Sequence, residues 1–131
     1  MIYVASPYSS TDKSLMNYRY YKTCEFVAIG MKAGKMIFSS IAHCHVMAIQ
    51  QKLPTDFAFW QNYCLHLINR SNEVVVLGLE GWEQSKGVTA ERDFCRAQGI
   101  PVTIFEPIDF GSGYPARCEE FWSNHNYALD R

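Results

Sequence analysis

Short apolar runs alternate with longer stretches whose apolar residues recur every three or four positions. Ile2–Ala5 is a run of strand formers. Residues 6–10, Ser-Pro-Tyr-Ser-Ser, break it, because proline removes a backbone donor and biases its neighbour away from helix. Thr11 or Asp12 is placed to cap the helix that follows. In that helix Met16, Tyr20, Cys24, Val27 (or Ala28) and Met31 form a stripe, and Gly34 ends it. Residues 36–38 read as a second strand, followed by a polar turn at Ser39 and Ser40. Residues 42–52 read as a short helix closed by Pro54. Residues 56–69 read as another, with Phe59, Tyr63, His66 and Leu67 on one face.

Residues 73–79 are apolar without alternation, the pattern of a strand covered on both sheet faces. A helix over Lys86–Gln98 stops at Gly99, and residues 101–105 give one more strand. The tail is irregular around Gly111-Ser112-Gly113, with a short helix over 116–123. Strands alternating with helices predict an α/β fold with a parallel sheet. The expected architecture is a single domain over residues 1–131. It is a three-layer Rossmann-like (flavodoxin-like) sheet with helices on both faces. Right-handed crossovers then bring the turns at 6–10, 39–40 and 80–87 to one rim.

A length of 131 residues suits one domain, and 48% hydrophobic content permits an ordinary core. The 15% aromatic share points to flat-ligand contacts, a subunit interface, or both. Twelve basic residues against thirteen acidic ones exclude a general affinity for nucleic-acid polymers, leaving only a local patch at Lys13, Arg19 and Lys22. No apolar run reaches the roughly 18 residues that span a bilayer. The first residues lack the pattern of a secretory signal, so a cytoplasmic location is expected. Cys24, Cys44, Cys64, Cys95 and Cys118 are scattered and odd in number, which reads as free, mostly buried thiols.

The candidate chemistry centres on the segment from Val74 to Glu91, a strand, a turn with glycines, and a helix carrying a carboxylate in its second turn. Strand-to-helix turns at a sheet's carboxyl rim present backbone N–H groups to polar ligands. Glu91 shares a helix face with Gly87, Phe94 and Cys95, so it points inward or into a cleft. There it must find donors or shift its pKa upward. The plainer alternative is a helix-end acid paired with Lys86, Arg92 or solvent. Ser85 is the helix N-cap and a candidate hydroxyl donor to a ligand. Gly87 allows close approach to the backbone. Trp82 is either a lid on the core or a stacking surface. Ser6, Pro7 and Tyr8 suit contacts to a sugar or phosphate, with Tyr8 stacking or donating through its hydroxyl, or simple turn chemistry.

Ser39, Ser40, His43 and His45 form a further polar cluster. His43 and His45 lie two apart, hence on different helix faces, and no third ligand is evident, so no metal site is expected. His43 remains a candidate for a phosphate or hydroxyl contact. No cofactor is indicated. The chain has no dinucleotide fingerprint, phosphate-binding P-loop or nucleophile elbow.

Tyr3-Val4-Ala5-Ser6-Pro7-Tyr8 resembles the opening of the nucleoside 2-deoxyribosyltransferase-like superfamily. So do residues 72–77, 85–91 and 97–102, in order: strand, serine–glycine turn, glutamate, and a helix ending in Gly99-Ile100-Pro101-Val102. The pattern is nearest to the small DUF1937 and DUF4406 types and spans about residues 1–106. The resemblance implies that Glu91 attacks the anomeric carbon of a nucleoside or nucleotide, forming a glycosyl ester. It implies that Ser85 holds the sugar or a 5′-phosphate and that Ser6, Pro7, Tyr8 and Trp82 line the base and sugar pocket; Ser39, His43 and Gly87 join the substrate-binding candidates from their own place in the rim turns. It also implies a homodimer or higher homo-oligomer, to which Phe121, Trp122 and Tyr127 would contribute. Gln84 and Asn72 stand where many transferases carry aspartate. Glu80, Glu83 or a histidine of the middle helices would then protonate the departing base. Hydrolysis of the N-glycosidic bond is therefore expected ahead of base transfer. A non-catalytic nucleotide-binding module and a structural homo-oligomer are the readings from other classes.

Overall fold

A computed structural model describes residues 1–108 and 110–126. In chain order the elements are β1 (Ile2–Ala5), α1 (Lys13–Lys32), β2 (Ile37–Phe38), α2 (Ser40–Gln50), α3 (Phe57–Asn69), β3 (Glu73–Leu77), α4 (Lys86–Gln98), β4 (Val102–Phe105) and α5 (Tyr114–Asn124). One 3-10 turn, Trp82–Gln84, precedes α4. The four strands are all parallel, in the order β2-β1-β3-β4. Tyr3 pairs with Val74 and Ala5 with Val76, which brings the carboxyl ends of β1 and β3 side by side.

β1 and β3 are buried along their whole length because each face meets its own core. Ile2, Val4, Val75 and Leu77 pack with Phe26 and Val27 of α1 and with Tyr114, Cys118 and Trp122 of α5. Tyr3, Ala5, Val74 and Val76 pack with Cys64 and Ile68 of α3 and with Val88 and Cys95 of α4. The result is the expected three-layer α/β arrangement, consistent with a Rossmann-like or flavodoxin-like sheet. All five thiols are free, and only Cys24 is not fully buried. No helix among the described residues is long and apolar enough to cross a membrane.

Local signals placed the start of α1 and both ends of α4. Asp12 caps α1, its carboxylate accepting from the Ser14 N–H at 2.9 Å. Ser85 caps α4, accepting from the Val88 N–H at 3.2 Å. Gly99 closes α4 at φ 72°, a left-handed conformation that favours glycine. The central strand is two residues shorter than the apolar run, since the chain turns at Gly78 and leaves Leu79 in the core. α2 starts at Ser40 rather than at residue 42, and α5 at Tyr114 rather than 116.

Three packing expectations are corrected. In α1 the buried positions are Met16, Thr23, Phe26, Val27 and Gly30, whereas Met31 is exposed. A stripe through residues 16, 20, 24, 27 and 31 averages more than 3.6 residues per step. It therefore turns off the core by roughly 60° at its end. In α3, Phe59, Tyr63 and His66 point outward; Cys64 and Ile68 face the sheet, with Phe57 and Trp60 partly covered in the same core. Trp122, expected at a subunit interface, is fully buried and donates its indole N–H to the Phe26 carbonyl at 3.0 Å. Phe121 packs beside it, and Tyr127 lies outside the described residues.

Candidate functional site

The chain leaves β1 toward β2 on one side and later enters β3 on the other. The loops that follow β1 and β3 therefore diverge, and a crevice opens at the carboxyl rim where the strand order reverses. A cavity of about 690 Å³ occupies this position. The β1 side contributes Tyr3, Ser6, Tyr8 and Ser9, and α1 contributes Arg19. The β3 side contributes Gly81, Gln84, Ser85, Lys86 and Gly87, with Glu91 from α4. Ser40, Cys44 and His45 come from α2. Asp56, Phe57, Trp60, Gln61 and Cys64 come from α3 and its cap.

Glu91 is 5% exposed, and its carboxylate accepts a 2.6 Å hydrogen bond from the Tyr3 hydroxyl. The Tyr3 oxygen lies 2.9 Å from the Ser40 hydroxyl, so Ser40 donates in turn to Tyr3. Burial raises the Glu91 pKa to about 7, while the Tyr3 hydrogen bond pulls the other way. Burial and the neighbouring Glu91 charge push the Tyr3 phenol well above its ordinary range, so Tyr3 stays a donor. A carboxylate poised near neutrality in a cleft can exchange a proton or, once ionised, attack an electrophile.

Arg19 ties the two sides of the crevice together. Its guanidinium donates to the Tyr8 and Ser9 carbonyls at 3.3 and 3.2 Å and to the Glu80 carbonyl at 3.3 Å. Gly81, at φ 88°, lets this happen, since a Cβ there would lie 2.9 Å from the guanidinium. A Cβ on Gly87 would press on the Phe57 ring at 3.1 Å. Trp60 is held by its indole N–H donating to the Pro54 carbonyl at 2.8 Å. Together Phe57 and Trp60 give the wall an aromatic section.

Of the residues marked in the sequence, Glu91, Ser6, Tyr8, Ser85 and Gly87 come together on the wall. Pro7, Ser39, His43 and Trp82 do not. Pro7 is buried in the turn after β1. Ser39 is buried as the cap of α2, accepting from the Ala42 N–H at 3.1 Å. His43 is exposed against Phe38, and His45 takes the place on the wall. Trp82 is buried in the sheet core, with its indole N–H on the Glu106 carboxylate at 3.0 Å and Arg92 over its ring. It serves as a core lid. The basic patch does not form. Arg19 is committed to the loops, while Lys22 donates to the Phe110 carbonyl and sits 4.5 Å from the Tyr114 ring centroid.

The wall also holds residues the sequence reading passed over. Tyr3 opens the motif that resembles the nucleoside 2-deoxyribosyltransferase-like superfamily but carries no role of its own there, standing within an apolar run. Asp56 read only as the start of a helix; it stands at the cap of α3 without a side-chain capping bond and lines the cavity. Glu80 and Glu83 are exposed and absent from the wall.

A family described as a domain of unknown function, DUF1937, matches residues 1–107. The chain belongs to this family. All four strands and every wall residue fall inside the matched segment, so the cavity is a property of the DUF1937 domain; α5 lies beyond it. No curated protein matches the chain.

Proposed function

We propose that this DUF1937 domain hydrolyses the N-glycosidic bond of a nucleoside or nucleoside 5′-monophosphate, with Glu91 as nucleophile. The observation that carries the reading is a buried carboxylate in an open cavity, held at 2.6 Å by the Tyr3 hydroxyl and poised near neutral pH. The resemblance of residues 1–106 to the nucleoside 2-deoxyribosyltransferase-like superfamily supports the choice of substrate.

In this reading a Glu91 oxygen forms a bond to the anomeric carbon as the bond to the base breaks. The base leaves with the electron pair and takes a proton. Asp56 is the wall's other carboxylate and is the group assigned to deliver that proton. Water then attacks the anomeric carbon, Glu91 departs as a carboxylate, and the water's proton is released to Asp56. Tyr3 keeps the attacking carboxylate oriented. Phe57 and Trp60 offer flat surfaces to the base. Ser85 and the first N–H groups of α4 offer donors to a sugar oxygen or phosphate. The same reading includes a homo-oligomer. Exposed Val46, Met47 and Ile49 of α2, with Phe59 and Tyr63 of α3, support that interface.

The test is a chromatographic screen for free base, using nucleosides, deoxynucleosides and their 5′-monophosphates, with wild type beside Glu91→Gln. Release by wild type alone establishes the chemistry. No release with or without an acceptor base, with nucleotide binding retained, would make the domain a binding module.

A further inference from the structure

His45 is 6% exposed, and both of its ring nitrogens are engaged. Nδ1 is 2.6 Å from the Tyr8 hydroxyl, and Nε2 is 3.1 Å from Oδ1 of Asn17. The ring stacks on Tyr20 with centroids 4.2 Å apart, so it cannot swing between partners. Burial lowers its pKa, which keeps the imidazole neutral. A neutral imidazole carries one N–H and one lone pair. Asn17 presents a carbonyl oxygen, an acceptor only, so the N–H is on Nε2. Nδ1 is then the acceptor, and Tyr8 must donate to it. A hydroxyl has a single proton. With that proton committed to His45, the Tyr8 oxygen meets everything else as an acceptor, and Tyr8 lines the cavity.

We infer that Asn17 and His45 are positioning residues that hold the Tyr8 hydroxyl as a hydrogen-bond acceptor, so that the cavity selects a ligand with a donor opposite Tyr8. The inference rests on the nucleoside reading of the cavity. On that reading the donor is a sugar hydroxyl or an exocyclic amino group of the base. A ligand with only an acceptor there leaves two lone pairs facing each other and is rejected.

The hydrogen-bond chain is tested without any ligand. Nitrogen-15 spectra of histidine-labelled protein report the tautomer, with the His45 signals assigned by their loss in His45→Gln. At a mildly alkaline pH the wild type is expected to show the proton on Nε2. Asn17→Asp, which keeps an acceptor, is expected to retain that tautomer, and Asn17→Leu to lose it. A proton on Nδ1 in the wild type would overturn the inference.

Ligand selection is tested by titration calorimetry with nucleosides and nucleoside 5′-monophosphates, every variant carrying Glu91→Gln so that no ligand is turned over. Matched analogues carry fluorine in place of each sugar hydroxyl or hydrogen in place of the amino group. One analogue is expected to bind about tenfold more weakly than its parent, as for one lost hydrogen bond. That difference is expected to vanish in Tyr8→Phe, shrink in Asn17→Leu and persist in Asn17→Asp. Which analogue fails identifies the donor. Equal binding of all analogues, or a difference that survives Tyr8→Phe, would overturn the selection. If neither nucleoside nor nucleotide binds while the Nε2 tautomer is present, the nucleoside reading falls and the selection with it. The state of the Tyr8 hydroxyl then stands as established.

Discussion

The hydroxyl of Tyr3 meets the carboxylate of Glu91 at 2.6 Å, although 88 positions separate the two residues. Tyr3 sits in the middle of β1 on the face that packs against α3 and α4, and Glu91 is on the inward face of α4. The cavity reaches both. A carboxylate in a sheet core is costly unless it is hydrogen-bonded. One phenolic donor leaves most of its acceptor capacity unused, which is what a site awaiting a ligand requires.

The pH dependence of base release should report this pair. Glu91 attacks only when ionised, and its pKa is about 7. With substrates whose bases depart without protonation, the kcat/KM profile is therefore expected to rise as pH increases through about 7. The Tyr3 hydrogen bond favours the ionised form. Tyr3→Phe is thus expected to move the rising limb to higher pH as well as lowering its plateau. A profile already flat below neutral pH would mean that Glu91 is not the titrating nucleophile.

The same shift has a consequence for stability. Glu91 moves from an ordinary 4.5 to about 7 on folding. Between those values the folded state binds more protons than the unfolded one, so stability is fullest below the lower value and falls as pH rises through the upper. At roughly 1.4 kcal/mol per unit, the loss is on the order of 3 kcal/mol. Glu91→Gln removes the ionisation and can still accept from Tyr3. Chemical denaturation should find it more stable than wild type by about that amount above pH 7, with the gap closing under acid. Equal stability at both ends would show that Glu91 is not buried as a charge.

The strand–turn–helix unit around Glu91 was legible because its signals are local: an apolar run, glycines, a serine cap and a carboxylate one turn on. Tyr3 was not, because a strand buried on both faces shows no alternation to say which face a side chain takes. The exchange of His43 for His45 has a rotational cause. Two residues apart on a helix put the pair about 160° apart, and only the packing of α2 against α1 decides which faces the cavity. Trp82 was ambiguous in the turn and was settled by Glu106, 24 positions away. Asp56 looked like an ordinary helix start, because its place on the wall depends on how α3 lies over the crevice.

Asp56 is expected to matter to the leaving group more than to binding. Among the described residues it is the one carboxylate on the wall apart from Glu91, exposed to solvent, with no capping bond to hold it at the helix end. Asp56→Asn should lower kcat for ordinary bases by about a hundredfold, the scale of a lost general acid. Its effect on KM and on thermal stability should be small. Substrates whose bases depart without protonation should be spared. An equal loss for both substrate types would remove Asp56 from the acid role.

Gly30→Ala tests the other core. In a helix interior this change ordinarily stabilises by about 1 kcal/mol. Here α1, β2 and α5 close on one point. A Cβ on Gly30 would overlap Cδ1 of Ile37 and lie 2.7 Å from Cε2 of Trp122. Trp122 cannot retreat, since it is fully buried and its N–H is bonded to the Phe26 carbonyl. Overpacking costs of order 1–3 kcal/mol, and an overlap with a fixed indole belongs at the upper end. The expected result is a net loss of about 2 kcal/mol, read by denaturant unfolding. Ile37→Val removes the overlapping methyl, so the double variant should recover part of the loss, and the cycle should show a favourable coupling. A more stable Gly30→Ala would mean that α5 does not pack against α1 as described.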